Sequence, residues 1–521
     1  MLTAARPASV LALLLLGHSL LHVLLGWMLG LSADEAQYAL GADRLAPGYP
    51  AHPPLVAWLQ WPLVAPGLPE GLPEGLLRLL PQALWVLTAL LIHDIAQRLH
   101  TLLVPAVGTA AQAGLWAVGA FSLAPLPHLL GIALLPEGLL MFCTVALLWQ
   151  TLRLLDALGP RGRHDWLLLG ALLGLAVLAS DLAALAVLPV AGVLLATHGP
   201  GLLRRRGPWL ALLVMLLLAL PNLAWNLLHG GGSWQLALRQ AAAALGGDWG
   251  AARVLLFLLV QLLMYPLLLW GITGLRHAVR GGFEIDRAQA WLLAFFALPL
   301  LVLAVLSGGG AGLTLTPAPG WAALAPFAGV GLAALWAGGR RALVAGCAVA
   351  QGLATLVLYL LLLLAGPPWL SSAGPEASEP EASNPFANFY GWEEAGSWAR
   401  QLAYRHNIPR LAVQGRVQAS RLAWYARPLP VHVLAPPGGP LAGDAGPLPP
   451  GASAVLLDWS QQPFQLPVGE GLFQRCEPVQ GIEARHAGRM VAHFRFSLCY
   501  GWGGQPAPRA RDAIGTGEAT R

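Results

Sequence analysis

Stretches of about twenty apolar residues recur along this chain and constrain it more than any other feature, because a helix of that length spans the roughly 30 Å hydrocarbon core of a bilayer. Candidate spans lie at 10–31, 74–97, 101–123, 137–157, 165–180, 182–199, 208–226, 253–275, 289–306, 320–337 and 342–365. By that length criterion the chain has about eleven spans. Composition agrees: 56% of residues are hydrophobic and only 11% charged, where soluble domains carry roughly 25% charge. The fifth and sixth stretches form one apolar block. Arg161 and Arg163 precede it and Arg204, Arg205 and Arg206 follow it, so both flanks belong in the cytoplasm and the block must be a hairpin. The first stretch is too long for a signal-peptide core and no small-residue cleavage site follows, so it reads as an uncleaved span.

No Lys occurs, so all 30 basic residues are Arg. A guanidinium suits planar capture of phosphate or carboxylate. The Ala, Leu, Gly, Pro and Arg bias has the look of GC-rich coding, so the missing Lys is not read as an adaptation. These Arg residues are spread over short loops, not gathered into a basic stripe, which argues against a nucleic-acid partner. With the N-terminus inside, the cytoplasmic turns collect Arg98, Arg153, Arg161, Arg163, Arg204 to Arg206, Arg276, Arg280, Arg287, Arg340 and Arg341. The outer loops carry few. The positive-inside rule therefore predicts a multi-pass protein of the cytoplasmic membrane, with everything after residue 365 outside.

That tail changes character. A Pro, Ser and Glu-rich linker over 366–388 leads to a helical pattern, "GWEEAGSWARQLAYRH", and to short alternating runs, "RLAVQG", "VHVLA", "ASAVLLDW" and "HFRFSLCY", which predict strands. The expected organisation is a helical polytopic membrane domain over 1–365, with its first outer loop at 32–73, then a small extracytoplasmic α/β domain over 389–505 and a disordered tail over 506–521. Cys143 and Cys347 fall in spans as packing residues. Cys476 and Cys499 fall in the tail, where an outer compartment would permit a disulfide, although sequence does not give their Cα separation.

The first outer loop holds two adjacent carboxylates, Asp34 and Glu35, in "LSADEAQYAL". Ser32 followed three residues later by Glu35 is a capping box, and both acids then lie near the positive end of a short helix. That accounts for the acids without any chemistry. The loop is long for a connection, however, and continues through Tyr38 to "GYPAHPPLVAWLQWPL", where Pro53 and Pro54 suit the start of a second helix, apolar and Trp-containing enough to lie in the interface. Two surface helices of this kind can hold Asp34, Glu35, Tyr49 and His52 over a cavity. In the spans, His18 and His22 read as residues satisfied by neighbouring helices.

"DEAQYAL" with "GYPAHPPLVAWL" resembles the first outer loop of the polytopic GT-C glycosyltransferases, specifically the bacterial relatives of the protein O-mannosyltransferases and of the aminoarabinose transferase that modifies lipid A. "LLPEGLLMF", "PNLAWNLLHGGGSWQLALRQ", "TPAPGWAALAPFAG" and, in the tail, "GWEEAGSWARQLA" and "GRVQASRLAWYARPLPVHVL" are similar to later family segments, in the same order. The resemblance implies transfer of a sugar from a polyprenyl-phosphate carrier to a lipid, glycan or protein acceptor at the outer face, with inversion. It implies Asp34 as general base and Glu35 as its structural or acceptor-binding neighbour. Tyr49, His52 and Arg78 would bind the donor phosphate, and Tyr38, His229 and Arg239 the acceptor or substrate, with Gln240 beside the last. Glu137 stands where relatives usually carry Asp; as the residue after Pro136 it is also a plain helix start.

Some relatives hold a metal between such a His229 and an acid just before the H-P-P element. Ala51 occupies the acid's place here, and a lone His is a poor zinc site, so no metal ligands and no cofactor are assigned. "ASDLA" puts Asp181 where relatives often carry Lys. These two departures keep open a non-catalytic homologue that binds or presents a lipid-linked sugar. A transporter would need paired broken helices or internal repeats, and the sequence displays neither.

Overall fold

The computed structural model describes residues 7–64, 74–155, 162–246, 249–279, 287–310, 315–367, 384–434 and 445–505. Arg161, Arg280, most of the 366–388 linker and the 506–521 tail lie outside these, as do the side chains of Gln240 and Arg287. The contacts divide the chain into two compact units, one of Met1–Gly26, Pro47–Val56 and Gly75–Leu358, the other of Trp27–Ala46, Ala57–Glu74 and Tyr359–Arg521. The division does not follow the expected boundary at 365, because parts of the first loop pack with the tail.

The first unit is helical. Among the described residues, seven helices are long and apolar enough to cross a membrane, or up to nine if each of two bent pairs is one span. The expected count of about eleven spans meets this at every candidate with a helix, but some are short or broken. The candidate at 165–180 is the 17-residue Arg163–Ala179 helix. That at 253–275 is broken into Ala251–Met264 and Pro266–Val279, where Pro266 interrupts the ladder. That at 101–123 starts later, as Ala110–Ser122, and turns by 74° into Pro125–Ile132.

Such breaks need their freed backbone groups paired within the protein, since lipid offers no partner. Gln351 does this twice: its Oε1 accepts from Leu267 N (3.2 Å), and its Nε2 donates to Ala120 O (2.8 Å). Thr355 Oγ1 donates to Leu123 O at the second break (2.8 Å). The Ala318–Ala337 helix is buried along nearly its whole length and is approached through small residues. A Cβ on Gly271 would lie 2.6 Å from Ala328 O, and one on Gly329 2.6 Å from Ala113 O, so glycine is what lets these backbones meet.

His22, in the Pro7–Met28 helix, is buried as the sequence reading implied, paired through Nδ1 with Gln82 Oε1 (2.6 Å) and through Nε2 with His128 Nδ1 (2.5 Å). His18 stacks on Trp85 with ring centroids 5.7 Å apart.

The second unit contains a five-stranded sheet of order β2-β1-β3-β5-β4: β1 Leu411–Val413, β2 Val431–Val433, β3 Ala454–Trp459, β4 Phe473–His486 and β5 Arg489–Trp502. β1 pairs in parallel with β2 and β3, and β5 is antiparallel to β3 and β4. The Arg416–Tyr425 helix forms the crossover from β1 to β2, while Trp392–Arg405 precedes the sheet. Just before the expected start at 389 lies a short 3-10 helix, Pro385–Phe389, whose start is capped by Asn384. Cys476 and Cys499 are directly opposite in the β4–β5 register and are disulfide-bonded, with Cα atoms 4.1 Å apart. Cys143 and Cys347 are free and buried.

Candidate functional site

In the second unit, Ser32 caps the Ala33–Asp43 helix with the full capping box expected of "SADE". Glu35 N donates to Ser32 Oγ (3.2 Å), and Ser32 N donates to Glu35 Oε2 (3.0 Å). Glu35 is buried and its carboxylate is held by the helix start. Asp34, one residue away, is exposed, and its carboxylate accepts no hydrogen bond among the described residues. The protein packed around it nevertheless holds its carboxyl above the usual carboxylate range. Burial is the first cause and the Glu35 charge the second, opposed by Arg421. Exposure and desolvation coexist when a side chain can meet solvent while dense protein limits the water around it. One acid therefore maintains the helix start, and the other takes no part in the cap. Tyr38 lies on the same helix, half-buried.

The Ala33–Asp43 helix is tied to the Arg416–Tyr425 helix. Ser420 Oγ donates to Ala33 O (3.0 Å), and Leu31 N donates to the Tyr425 hydroxyl (2.9 Å). Gly30 has no room for a side chain, since a Cβ would lie 2.6 Å from Phe389 O. The sequence placed 416–425 within a tail segment similar to the family's but did not single out Arg421. The signal was present as an Arg in the middle of "ASRLAWY", an apolar helical run.

In the first unit, Tyr49 and His52 are both buried and stack, with ring centroids 5.1 Å apart and planes at 23°. His52 Nδ1 lies 2.9 Å from Pro53 O. A carbonyl only accepts, so the proton is on Nδ1, and the neutral ring presents Nε2 as an acceptor. Burial draws the ring's pKa down to about 4, against the Pro53 bond that raises it. The preceding loop packs against the end of the Arg206–Leu228 helix, where a Cβ on Gly48 would meet Trp225 at 2.8 Å and Asn222 Oδ1 at 2.9 Å.

This contact brings "GYPAHPP" and "WNLLHGGGSW" together. His229 stacks on Trp225 (4.4 Å, 13°) with Nδ1 2.9 Å from Trp225 O, and it is exposed. Behind it runs a polar chain that sequence reasoning missed: Asn226 Nδ2 donates to Asn222 Oδ1 (3.1 Å), and Ser233 Oγ lies 3.5 Å from Asn226 Oδ1 and 3.3 Å from Asp181 Oδ1. Asp181 is thus at the turn between the two helices of the hairpin, hydrogen-bonded to Ser233.

Arg78 is buried at the start of the Leu79–Leu103 helix, and its Nη1 donates to Gly26 O (2.9 Å). Glu137 occupies the first turn of Pro136–Leu155, half-buried, where an acid also suits the helix end. Arg239 is exposed, and its Nη2 donates to Gln235 Oε1 (3.3 Å). Among the described residues no group of three or more His, Cys, Asp or Glu could hold a metal ion.

A family model described as dolichyl-phosphate-mannose-protein mannosyltransferase matches residues 51–225. That match takes in His52, Arg78, Glu137 and Trp225 but stops short of Asp34 and Tyr49. The structure is similar to the crystal structure of ArnT from Cupriavidus metallidurans in the apo state, with a TM-score of 0.58 at 14% identity over 95% of this chain and 98% of that one. The same ArnT bound to undecaprenyl phosphate gives 0.56 at 14% identity, over 94% and 97%. The chain has the GT-C fold. That GT-C likeness extends over both units, so the α/β tail is part of the shared architecture. No curated protein sequence matches the chain.

Proposed function

We propose that this GT-C protein is a membrane glycosyltransferase that draws a sugar from a polyprenyl-phosphate carrier and passes it to a lipid, glycan or protein acceptor, with inversion and with Asp34 as general base. The observation that carries the reading is the division of labour between two adjacent acids, Glu35 spent on the helix cap and Asp34 exposed without a hydrogen-bond partner among the described residues. Such a carboxylate can take the proton of an attacking hydroxyl. The family match and the likeness to an ArnT bound to undecaprenyl phosphate support the donor class. Tyr49, His52 and Arg78 are the proposed phosphate ligands, Tyr38, His229 and Arg239 the acceptor-side residues, and Glu137 a second acid at the site. The Arg-rich turns and the disulfide-bonded tail support a cytoplasmic N-terminus and an extracytoplasmic tail. The test is a deletion strain whose lipids are compared with the parent's by mass spectrometry. A polyprenyl-phosphate sugar should accumulate, and restoring the gene should clear it; unchanged carrier-linked sugars would remove the proposal.

Phosphate binding should be linked to protonation at His52. With Nδ1 committed to Pro53 O, the ring can donate to a phosphate only by gaining a proton on Nε2. Burial draws the ring down to about 4, and an adjacent anion raises that value. Binding then takes up a proton, so affinity for undecaprenyl phosphate should strengthen as pH falls from about 5.5 to 3.5, roughly sixfold for a ring moved by one pH unit from its value of about 4. The phosphate itself titrates near pH 6, so the comparison is with His52→Gln, whose binding should lack the extra pH dependence. Equal pH dependence in the two proteins would remove His52 from the phosphate site.

A further inference from the structure

The Arg416–Tyr425 helix carries a buried charge to which no acid among the tail's described residues is hydrogen-bonded. Arg421 is fully buried, with its guanidinium carbon 4.2 Å from the Trp392 ring centroid and 4.8 Å from that of Trp459. Nη1 donates to Asn388 O (2.7 Å) and Oδ1 (3.3 Å), and Nε to Val417 O (3.3 Å). All of these acceptors are neutral. Nη2 is buried and has no hydrogen-bond partner among the described residues. The contrast within the same domain is Arg495, whose Nε donates to Asp458 Oδ2 at 2.8 Å. A buried cation without a directly bonded anion is unfavourable, and such groups are commonly retained for function.

The hydrogen bonds on either side indicate what the cation serves. Ser420, adjacent to Arg421, bonds to the backbone of Ala33, adjacent to Asp34, and Tyr425, one turn on, holds Leu31. We propose that Arg421 is a positioning residue for Asp34: the tail helix that carries the guanidinium is hydrogen-bonded to the first-loop helix, and its charge, held there by the fold, favours the ionised Asp34 carboxylate. The inference rests on Asp34 being the base. The charged and titratable groups around Asp34 are Glu35 and Tyr38 on its own helix and Arg421 and Tyr425 on the helix packed against it. Burial and Glu35 both push the Asp34 carboxyl up, and Arg421 opposes them. Reciprocally, burial draws the Arg421 guanidinium down to about 9, against Tyr425 and Asp34, which raise it.

The test uses the full chain in lipid nanodiscs. Carbodiimide coupling of glycine ethyl ester to Asp34 is followed by peptide mass spectrometry across pH and normalised to the exposed Glu393 and Glu394. Labelling falls as the carboxyl ionises. In Arg421→Gln the midpoint should rise by about one pH unit, since loss of a nearby opposite charge removes a downward shift of that order. Arg421→Lys should restore most of it. Asn388→Asp keeps the guanidinium but offers it a carboxylate of its own, and should move the midpoint in the same direction by a smaller amount. If Arg421→Gln does not fold, Asn388→Asp decides the question. Identical midpoints in the wild type and the folded variants would overturn the proposal. The labelling does not depend on sugar transfer, so failure of the base reading would register separately, as a shifted midpoint with an unchanged pH–rate profile.

Discussion

Replacing Asp34 by Asn should lower sugar transfer by about 10²- to 10⁴-fold, the range expected for losing a positioned general base, while leaving the protein as stable as before or slightly more so. The stability half of this expectation follows from the sign of the electrostatics. Burial and Glu35 hold the Asp34 carboxyl above its ordinary range, so the ionised form is disfavoured in the folded protein relative to the unfolded chain. The fold is therefore weakened as pH rises through that range, and an uncharged isostere relieves it. The Asp34→Asn substitution leaves the cap undisturbed, because the cap's hydrogen bonds belong to Ser32 and Glu35. In the deletion strain, Asp34→Asn should be made at normal levels and fail to clear the carrier-linked sugar. Glu35→Ala should do the reverse, removing the acceptor for Ser32 N at a cost of about 1 kcal/mol in stability, as loss of a cap does, while retaining much of the transfer rate. On the acid side, wild-type transfer should decline at a higher pH than an unperturbed carboxylate would give. A folded Asp34→Asn protein that complements the deletion would end the assignment of the base.

The capping role of Glu35 was legible because it is local. A capping box is a three-residue rule, and the structure forms it at Ser32 and Glu35. Membrane-length helices and the strands β1, β2, β3 and β5 were legible for the same reason, since apolar length and alternation are properties of contiguous residues. What escaped depends on distant partners. The break before Pro266 and the bend at Ala124 run through unbroken apolar sequence, and Gln351 and Thr355, far along the chain, make them tolerable.

β4, one of the sheet's two edge strands, escaped because its pattern does not alternate. It is mostly exposed and polar, contains Pro478, and shifts register between Val479 and Ile482, all of which an edge accepts and an alternation pattern does not. Arg421 escaped because one Arg in an apolar helical run looks like a solvated face until the sheet and Trp392 close over it. His52 was legible as a position but not as a chemical state. The sequence places a His before two prolines, and only the fold shows that its Nδ1 proton is committed to Pro53 O.

The second large effect is expected at Arg78. Its buried guanidinium is fixed by the bond from Nη1 to Gly26 O at 2.9 Å, and Gly26 is small where Arg78 passes it, a Cβ there falling 3.3 Å from Arg78 Cδ. Fixing the planar group in advance removes part of the entropy lost when it meets a phosphate, and its donors match two phosphate oxygens at once. Truncating one partner of a buried, hydrogen-bonded charge pair costs about 2–5 kcal/mol, roughly 30-fold to several thousand-fold in affinity at 1.4 kcal/mol per tenfold. Arg78→Gln should weaken undecaprenyl phosphate binding by that factor. Arg78→Lys should recover only part of it, because a point charge on a flexible stem supplies attraction without the planar fork. Gly26→Ala tests the positioning alone: the arginine must give by a few tenths of an ångström, and binding should weaken far less than in Arg78→Gln. Microscale binding measurements with undecaprenyl phosphate in nanodiscs distinguish these cases. If Arg78→Gln binds as tightly as the wild type while Gly26→Ala is equally silent, Arg78 serves only to pin the Pro7–Met28 helix against its neighbour, and the donor phosphate must be held by Tyr49 and His52 without it.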